Sequence, residues 1–401
     1  MIRDTLIFLA IAGILALLFS GRVRRSRGWR ATVTPLASII GSGFLVIAPL
    51  LAATAGRYSL LAIAALVGLG YLCGEVIRFN IVHIEPMLGN PEQGSVVATL
   101  ERLSKVALGA AYIISVAFYL ELLSAFLLRG LHIRNEVGAD IVTTLFLLFI
   151  GIMGKLYGLG MLESMEEYSV SVKLAIIAGL LAGLAYFNAN LALTGQWHLQ
   201  FPDNDFTLGS FRTLLGALIV VQGFETSRFL GKKYDANERV RTMRFAQIVS
   251  GAIYCIFVAL VAAVITPDLE VTETEIVDLS GRVSPVLPAA LILAAAMSQF
   301  SASVADTVGA GGLLFETSRS KLSLRNSYLV IALAAVWLAW TTNVFEIISL
   351  ASRAFALYYC LQALEAGVVA FGKKMLGRTV LFVLLSLFLL LITAFANPVG
   401  I

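Results

Sequence analysis

Apolar runs close to the length of a bilayer crossing recur along this 401-residue chain, and no hydrophilic stretch between them is long enough for a separate domain. They fall at 5–20, 33–55, 59–79, 106–130, 139–158, 168–188, 211–230, 242–266, 284–307, 326–342, 345–371 and 377–396. Hydrophobic residues make up 59% of the chain and charged residues only 13%, against about a quarter charged in soluble proteins. In hydrocarbon every peptide N–H and C=O must be paired within the protein, which leaves helices as the spanning element for runs of this length. The expectation is an all-α polytopic membrane protein of about twelve transmembrane helices.

One run breaks the rule that makes the others helices. Thr34 to Gly56 is apolar enough to cross, yet Gly41-Ser42-Gly43 sits inside it. Glycine disfavours helix interiors, so the backbone is expected to unwind there. Unwound backbone facing lipid would leave peptide groups unpaired at several kcal/mol each. It survives where it faces protein or a water-filled cavity, and there a ligand can satisfy it. The ordinary reading is a packing pair of small residues, but these glycines lie two apart rather than four.

Loop charges set the order of crossing. Arg22, Arg24, Arg25, Arg27 and Arg30 follow the first run rather than precede it, so that run reads as an uncleaved helix whose C-terminal end is cytoplasmic. Further basic loops follow alternate runs: Arg228, Lys232, Lys233, Arg239, Arg241 and Arg244; then Arg319, Lys321 and Arg325; then Lys373, Lys374 and Arg378. Residues 187–211 hold neither Lys nor Arg, and Pro267 to Pro285 is acidic. Arg129 and Arg134 fall on the expected outer side and are the one exception. Both termini are expected outside, in a prokaryotic plasma (inner) membrane. Cys73, Cys255 and Cys360, an odd set inside apolar runs, argue against a disulfide framework.

A second interruption lies at Gln222-Gly223-Phe224-Glu225-Thr226, in the run 211–230. It is five helices after the first and runs in the opposite direction. Interrupted helices in equivalent places of two oppositely oriented halves point to an inverted-repeat secondary transporter. The expected organisation is an N-terminal helix and basic loop over 1–30, and a core over 31–371 divided into repeats 31–190 and 209–371. A C-terminal helix follows over 372–401.

Ile39-Ile-Gly-Ser-Gly-Phe-Leu-Val-Ile-Ala-Pro49, with the small-residue run ending in Gly56, resembles the first helix of the amino acid–polyamine–organocation (APC) permeases. Tyr71-Leu-Cys-Gly-Glu75 is similar to that family's second-helix signature, and Gln222-Gly223-Phe224-Glu225 to its sixth-helix break. The resemblance spans about residues 33–396 and implies a LeuT-like 5+5 inverted repeat, here with an extra N-terminal helix. It also implies that amides of Ser42 and Gly43 hold a substrate carboxylate, that carbonyls around Gln222–Phe224 take an amine, and that Phe224 gates the site. Gly41, Ser42, Gly43, Phe44, Gln222, Gly223, Phe224, Glu225 and Thr226 form the expected substrate-binding set. Half-helix N-termini, with their free N–H groups and positive dipole end, suit an anion.

Ionisable groups within the spans are expensive, and each is a functional candidate. Lys173 either snorkels or points inward, where some family members place a lysine in the site that holds an ion in sodium-coupled relatives. Glu121 sits mid-span and is a candidate for the coupling proton or for a cationic substrate. Glu225 has the same two roles open to it, or else pairs with Arg228. Asp306 and Glu75 read as paired charges near helix ends. Ser298 and Ser301 share a helix face and are candidates for coupling; sodium-coupled relatives usually present two adjacent hydroxyls, so protons are favoured over sodium. His83, His132 and His198 do not make a metal set, no P-loop is present, and no cofactor is expected. Trp29, Trp337 and Trp340 read as interface anchors or packing.

The leading reading is a secondary active transporter of amino acids or related amines, working by alternating access as a proton-coupled carrier or an exchanger. Its partners are a small-molecule substrate and the bilayer, with no nucleic acid. The alternative is a membrane-embedded lipid-modifying enzyme, which would gather His, Asp or Arg at one membrane face; here the polar residues sit at breaks and mid-span.

Overall fold

The computed structural model describes residues 2–41, 43–88, 95–133, 135–160, 166–199, 206–266 and 272–398, so Ser42 and Arg134 lie outside the described residues. Its helices are α1 (Ile2–Leu18), α2 (Gly21–Arg24), α3 (Arg27–Ile39), α4 (Phe44–Ala55), α5 (Ser59–His83), α6 (Ser95–Gly130), α7 (Glu136–Leu156) and α8 (Glu166–Leu193). Then follow α9 (Leu208–Leu215), 3₁₀ turns at Leu218–Val221 and Phe224–Lys232, α10 (Ala236–Val261), α11 (Glu275–Val283), α12 (Leu287–Thr317), α13 (Leu324–Thr341), α14 (Val344–Gly372) and α15 (Leu376–Phe395). Nine helical stretches among the described residues are long and apolar enough to cross a membrane, and the first of them, Phe44–Met87, contains α5 as its whole crossing. The two interrupted segments and the 17-residue α1 bring the crossings to the expected twelve. This is a multi-pass membrane protein.

Both interruptions are real. The first span divides into α3 and α4 at Ile40–Gly43, and the second unwinds after α9 and continues only as 3₁₀ turns. The chain reverses at Gly56, after α4: Gly43 on one side of this reversal packs on Val220, and Gly70 on the other side packs on Val221. The 44-residue apolar stretch Phe44–Met87 is therefore half a crossing followed by a whole one.

Several helices run past their apolar cores. α6 starts at Ser95 rather than near 106, and α12 continues to Thr317 rather than 307. The added turns carry charges that lie beyond the hydrocarbon and find partners there, as Lys105 does with Glu316 at 2.6 Å. The acidic loop before α12 contains a helix that hydropathy did not reveal, α11, which buries Ile276, Leu279 and Val283 along one face. Arg129, the exception to the charge alternation, pairs there with Asp278. The separation of α13 from α14 at Thr342-Asn343 is enforced by a capping box. Asn343 Oδ1 accepts from the Glu346 amide at 2.9 Å, and Glu346 returns a carboxylate oxygen to the Asn343 amide at 3.0 Å.

α6 runs through the centre against α12 and α14, α7 packs on α13, and α10 packs on α3 and α5. α1 lies on α8, where Gly179 and Gly183 are four residues apart and leave room for Ile11 and Ile7. Asp4 anchors the same end by accepting from the Ser284 hydroxyl at 2.6 Å. A side chain at Gly179 would start 2.6 Å from Ile11 Cγ1. Gly179→Leu is accordingly expected to lower the thermal unfolding midpoint in detergent, with an overpacking cost of about 1–3 kcal/mol. Gly13→Leu, where a Cβ meets nothing within 4 Å, should not; equal midpoints for the two variants would mean that α1 does not dock at Gly179.

Candidate functional site

The first break opens where Gly41 leaves the helix. The Gly41 carbonyl accepts from the Ser298 hydroxyl at 3.0 Å and from Gln299 Nε2 at 3.4 Å, both on α12. Beyond it, α4 starts at Phe44 with no side-chain cap; the Val46 and Ile47 amides both donate to the Gly43 carbonyl, at 3.2 and 2.9 Å, which leaves the Phe44 and Leu45 amides without an acceptor among the described residues. Phe44 is buried between Tyr254 and Phe257, with ring centroids 5.6 and 4.3 Å away.

The second break differs in cause. Gly223 has φ +109°, a left-handed conformation that favours glycine, and its amide donates to Glu225 Oε2 at 2.9 Å. Glu225 is fully buried, and the same oxygen accepts from the Tyr359 hydroxyl at 2.7 Å. The Arg228 pairing is not formed: Arg228 turns to Glu101 and Glu85, 3.2 and 3.5 Å away. Phe224 stacks on Tyr359 with centroids 5.1 Å apart. Gln222 donates to the Tyr119 hydroxyl at 3.2 Å, while its own amide oxygen is buried without a partner among the described residues. The Thr226 hydroxyl closes back on the Gly223 carbonyl at 2.7 Å. Upstream, the Ser352 hydroxyl donates to the Gly216 carbonyl at 2.6 Å and accepts from the Ile219 amide at 2.8 Å.

The breaks meet each other. A Cβ at Gly43 would sit 2.6 Å from Val220 Cα, and one at Gly223 would sit 2.7 Å from Ser38. The Tyr254 hydroxyl lies 2.9 Å from the Ile39 carbonyl and 2.8 Å from the Val220 carbonyl, so one proton serves both. The midplane cavity expected between the breaks is closed in this conformation, because backbone packs on backbone there. Two small cavities flank it. One of about 10 Å³ lies beside Tyr254, Gly70 and Gln247, and one of about 20 Å³ is bounded by Ser38, Lys173, Thr226, Ser298 and Ser301. The second is large enough for about one water or a small cation.

Lys173 does not snorkel. It is buried, and its Nζ donates to the Ala37 carbonyl at 2.9 Å, one turn before the first break. Glu121 stands apart from this group on α6, buried, with one carboxyl oxygen lacking a partner among the described residues. Asp306 is bonded by Ser115 within the core rather than at a helix end, and Glu75 pairs with Arg78 and Arg378.

A family model described as an APC superfamily transporter matches residues 21–396. The chain belongs to the APC superfamily. An uncharacterised protein of Aquifex aeolicus (strain VF5) is 45% identical over 404 residues, covering 99% of this chain and 98% of its own. The substrate-bound outward-open structure of a Na+-coupled sialic acid symporter aligns over 99% of this chain and 98% of that one, with TM-score 0.52 and 13% identity. At that identity it shows the fold alone, which is LeuT-like. This APC transporter is not an enzyme.

Sequence reasoning missed much of the support around the breaks. Tyr254, Gln299, Ser352 and Tyr359 lie on helices that carry no interruption. It also missed the network on the basic face, where Glu101 accepts from Arg228 and from Gln362 Nε2 at 3.0 Å, and Glu85 pairs with Arg239 at 2.7 Å. Mid-span hydroxyls and amides were the available signal, but they are numerous and most simply bond their own helix. Tyr254→Phe is expected to destabilise the closed arrangement by about 1–3 kcal/mol, the cost of leaving buried carbonyls without a donor. Thermal unfolding in detergent reads this, and a wild-type midpoint would show that the carbonyls are satisfied by another donor.

Proposed function

We propose that this chain is a secondary active transporter of amino acids or related amines, working by alternating access with protons rather than sodium as coupling ion, or as an exchanger. The observation that carries this reading is the direct contact of two oppositely running helix breaks, Gly43 on Val220 and Gly223 on Ser38. Glycine at both places lets the breaks shut without a side chain between them. Opening them would expose peptide groups that only a ligand or water can then satisfy.

The uncapped amides at Phe44 suit a carboxylate. Glu225 with Tyr359 supplies the anionic, aromatic surroundings that suit an ammonium group. Gly41, Ser42, Gly43, Gln222, Gly223, Phe224 and Thr226 complete the proposed substrate set, in repeats over 31–190 and 209–371. The sialic acid of the symporter of like fold is also an acid, which fits the same amides. That symporter is Na+-coupled, and its fold favours sodium here as well. Against sodium stands Lys173, whose ammonium already holds the Ala37 carbonyl beside Ser298 and Ser301. An ammonium fixed beside the cavity those serines line repels a second cation there, so Lys173 is assigned to proton coupling and Glu121 to proton uptake. Both termini are placed outside a prokaryotic inner membrane.

Uptake into proteoliposomes across an amino acid and amine panel, with imposed proton or sodium gradients, tests this reading. An inward proton gradient should drive accumulation of at least one substrate, and a sodium gradient should add nothing; sodium-driven uptake would reverse the coupling assignment. Lys173→Ala should abolish gradient-driven accumulation while exchange across the membrane persists. Glu121→Gln should flatten the pH dependence of uptake, and a wild-type pH profile in that variant would remove Glu121 from the mechanism.

A further inference from the structure

A further cavity lies away from the breaks. It is a cleft of about 500 Å³ between the α2–α3 corner and α10, bounded by Arg22, Val23, Trp29, Arg241 and Phe245, with Gly28 at its floor. We infer that this cleft binds an anionic phospholipid, with the phosphodiester between Arg22 and Arg241 and an acyl chain along Trp29 and Phe245.

Three observations support this assignment. The side chains of Arg22 and Arg241 make no hydrogen bond or ion pair with any described residue, whereas three nearby arginines are engaged. Arg24 bonds the Tyr168 hydroxyl at 3.0 Å, Arg27 pairs with Glu238 at 2.9 Å, and Arg239 pairs with Glu85. Glu238, one turn before the cleft residues Arg241 and Thr242 on α10, is thus already paired, and two arginines are left lining one opening. Guanidinium geometry matches phosphate oxygens.

The indole N–H of Trp29 is buried and has no acceptor among the described residues. Its side chain lines the cleft and packs against the cluster of Val33, Ala37 and Val170, so a small shift of the ring would let its unused donor meet a ligand oxygen such as a phosphate or glycerol ester. The cleft is also graded in depth. Arg241 lies near the basic end of α10, and Phe245, 53% exposed, lies one turn deeper on the same face, about 6 Å along the axis. Charge at the headgroup level above an aromatic at the acyl level is the profile of a lipid, and a soluble anion would have no use for the lower half. Because α3 and α10 form opposite walls, an occupying lipid ties the half-helix before the first break to its neighbour.

The test is native mass spectrometry of the full-length protein in detergent, titrated with dioleoylphosphatidylglycerol or dioleoylphosphatidylcholine. Wild-type protein should retain phosphatidylglycerol in preference to phosphatidylcholine. Arg22→Gln combined with Arg241→Gln should weaken that retention by roughly tenfold or more. Gly28→Leu keeps both charges and fills the cleft from its floor, where a Cβ would meet nothing closer than 3.9 Å, and it should weaken retention comparably. Thermal unfolding midpoints matching wild type establish that both variants fold, and Gly28→Leu, on a surface open to the cleft, serves if the double variant does not. Equal retention of the two lipids, or undiminished phosphatidylglycerol binding in the folded variants, would overturn the assignment. Displacement of phosphatidylglycerol by inorganic phosphate alone would overturn it too, by making this a site for a soluble anion.

Discussion

Backbone that leaves its helix within a membrane has to be satisfied by something other than water, and the arrangement of the core follows from that requirement. Each unpaired peptide group costs several kcal/mol in hydrocarbon. Here the debt at the first break is met by Ser298 and Gln299 on α12, and at the second by Ser352 on α14 and by Glu225 within the break itself. Tyr254 on α10 reaches a carbonyl of each break. The uninterrupted helices are therefore tied to the interrupted ones through hydrogen bonds rather than through apolar packing alone. Any movement that separates the breaks must release Tyr254 from one of them, which makes this residue a natural counterpart to whatever ligand takes over its bonds.

The two membrane faces are built on different electrostatic plans. The basic face gathers Arg228 and Arg239 over Glu85 and Glu101, with Gln362 completing the group, so the ends of α5, α6, α10 and α14 are joined by charge. Among the described residues, the ties on the opposite face include Arg129 to Asp278 and Arg212 to the Phe395 carbonyl at 2.9 Å. Arg22 and Arg241 stand outside the group on the basic face, which is why the cleft between α3 and α10 retains an unspent positive charge.

Twelve crossings, two breaks and the alternation of basic loops were legible from the chain. Hydropathy, glycine placement and loop charge are local properties and need no knowledge of neighbours. Glu225 marks where local reasoning stops. Arg228, three residues on, is the partner that helical spacing suggests, yet the 3₁₀ geometry and depth of the segment give the carboxylate to Tyr359 and Gly223 and leave the guanidinium to Glu101. α11 escaped notice for a related reason: nine residues are too few for a hydropathy window to register, and its apolar face is visible only once α12 lies beneath it.

What the sequence determined by itself, then, is where the chain crosses, where it cannot stay helical, and which loops share a side. Only the tertiary structure decided which face of each helix turns inward, and so which side chains meet the opened backbone: Tyr254, Gln299 and Ser352, the inward aim of Lys173, and the shut contact of Gly43 on Val220. The reason lies in the solvent. In water, an apolar stripe shows which side of a helix is buried, but in a bilayer the lipid-facing and protein-facing sides are both apolar. The rotation of each helix is then settled by close packing and hydrogen bonds between residues more than a hundred positions apart.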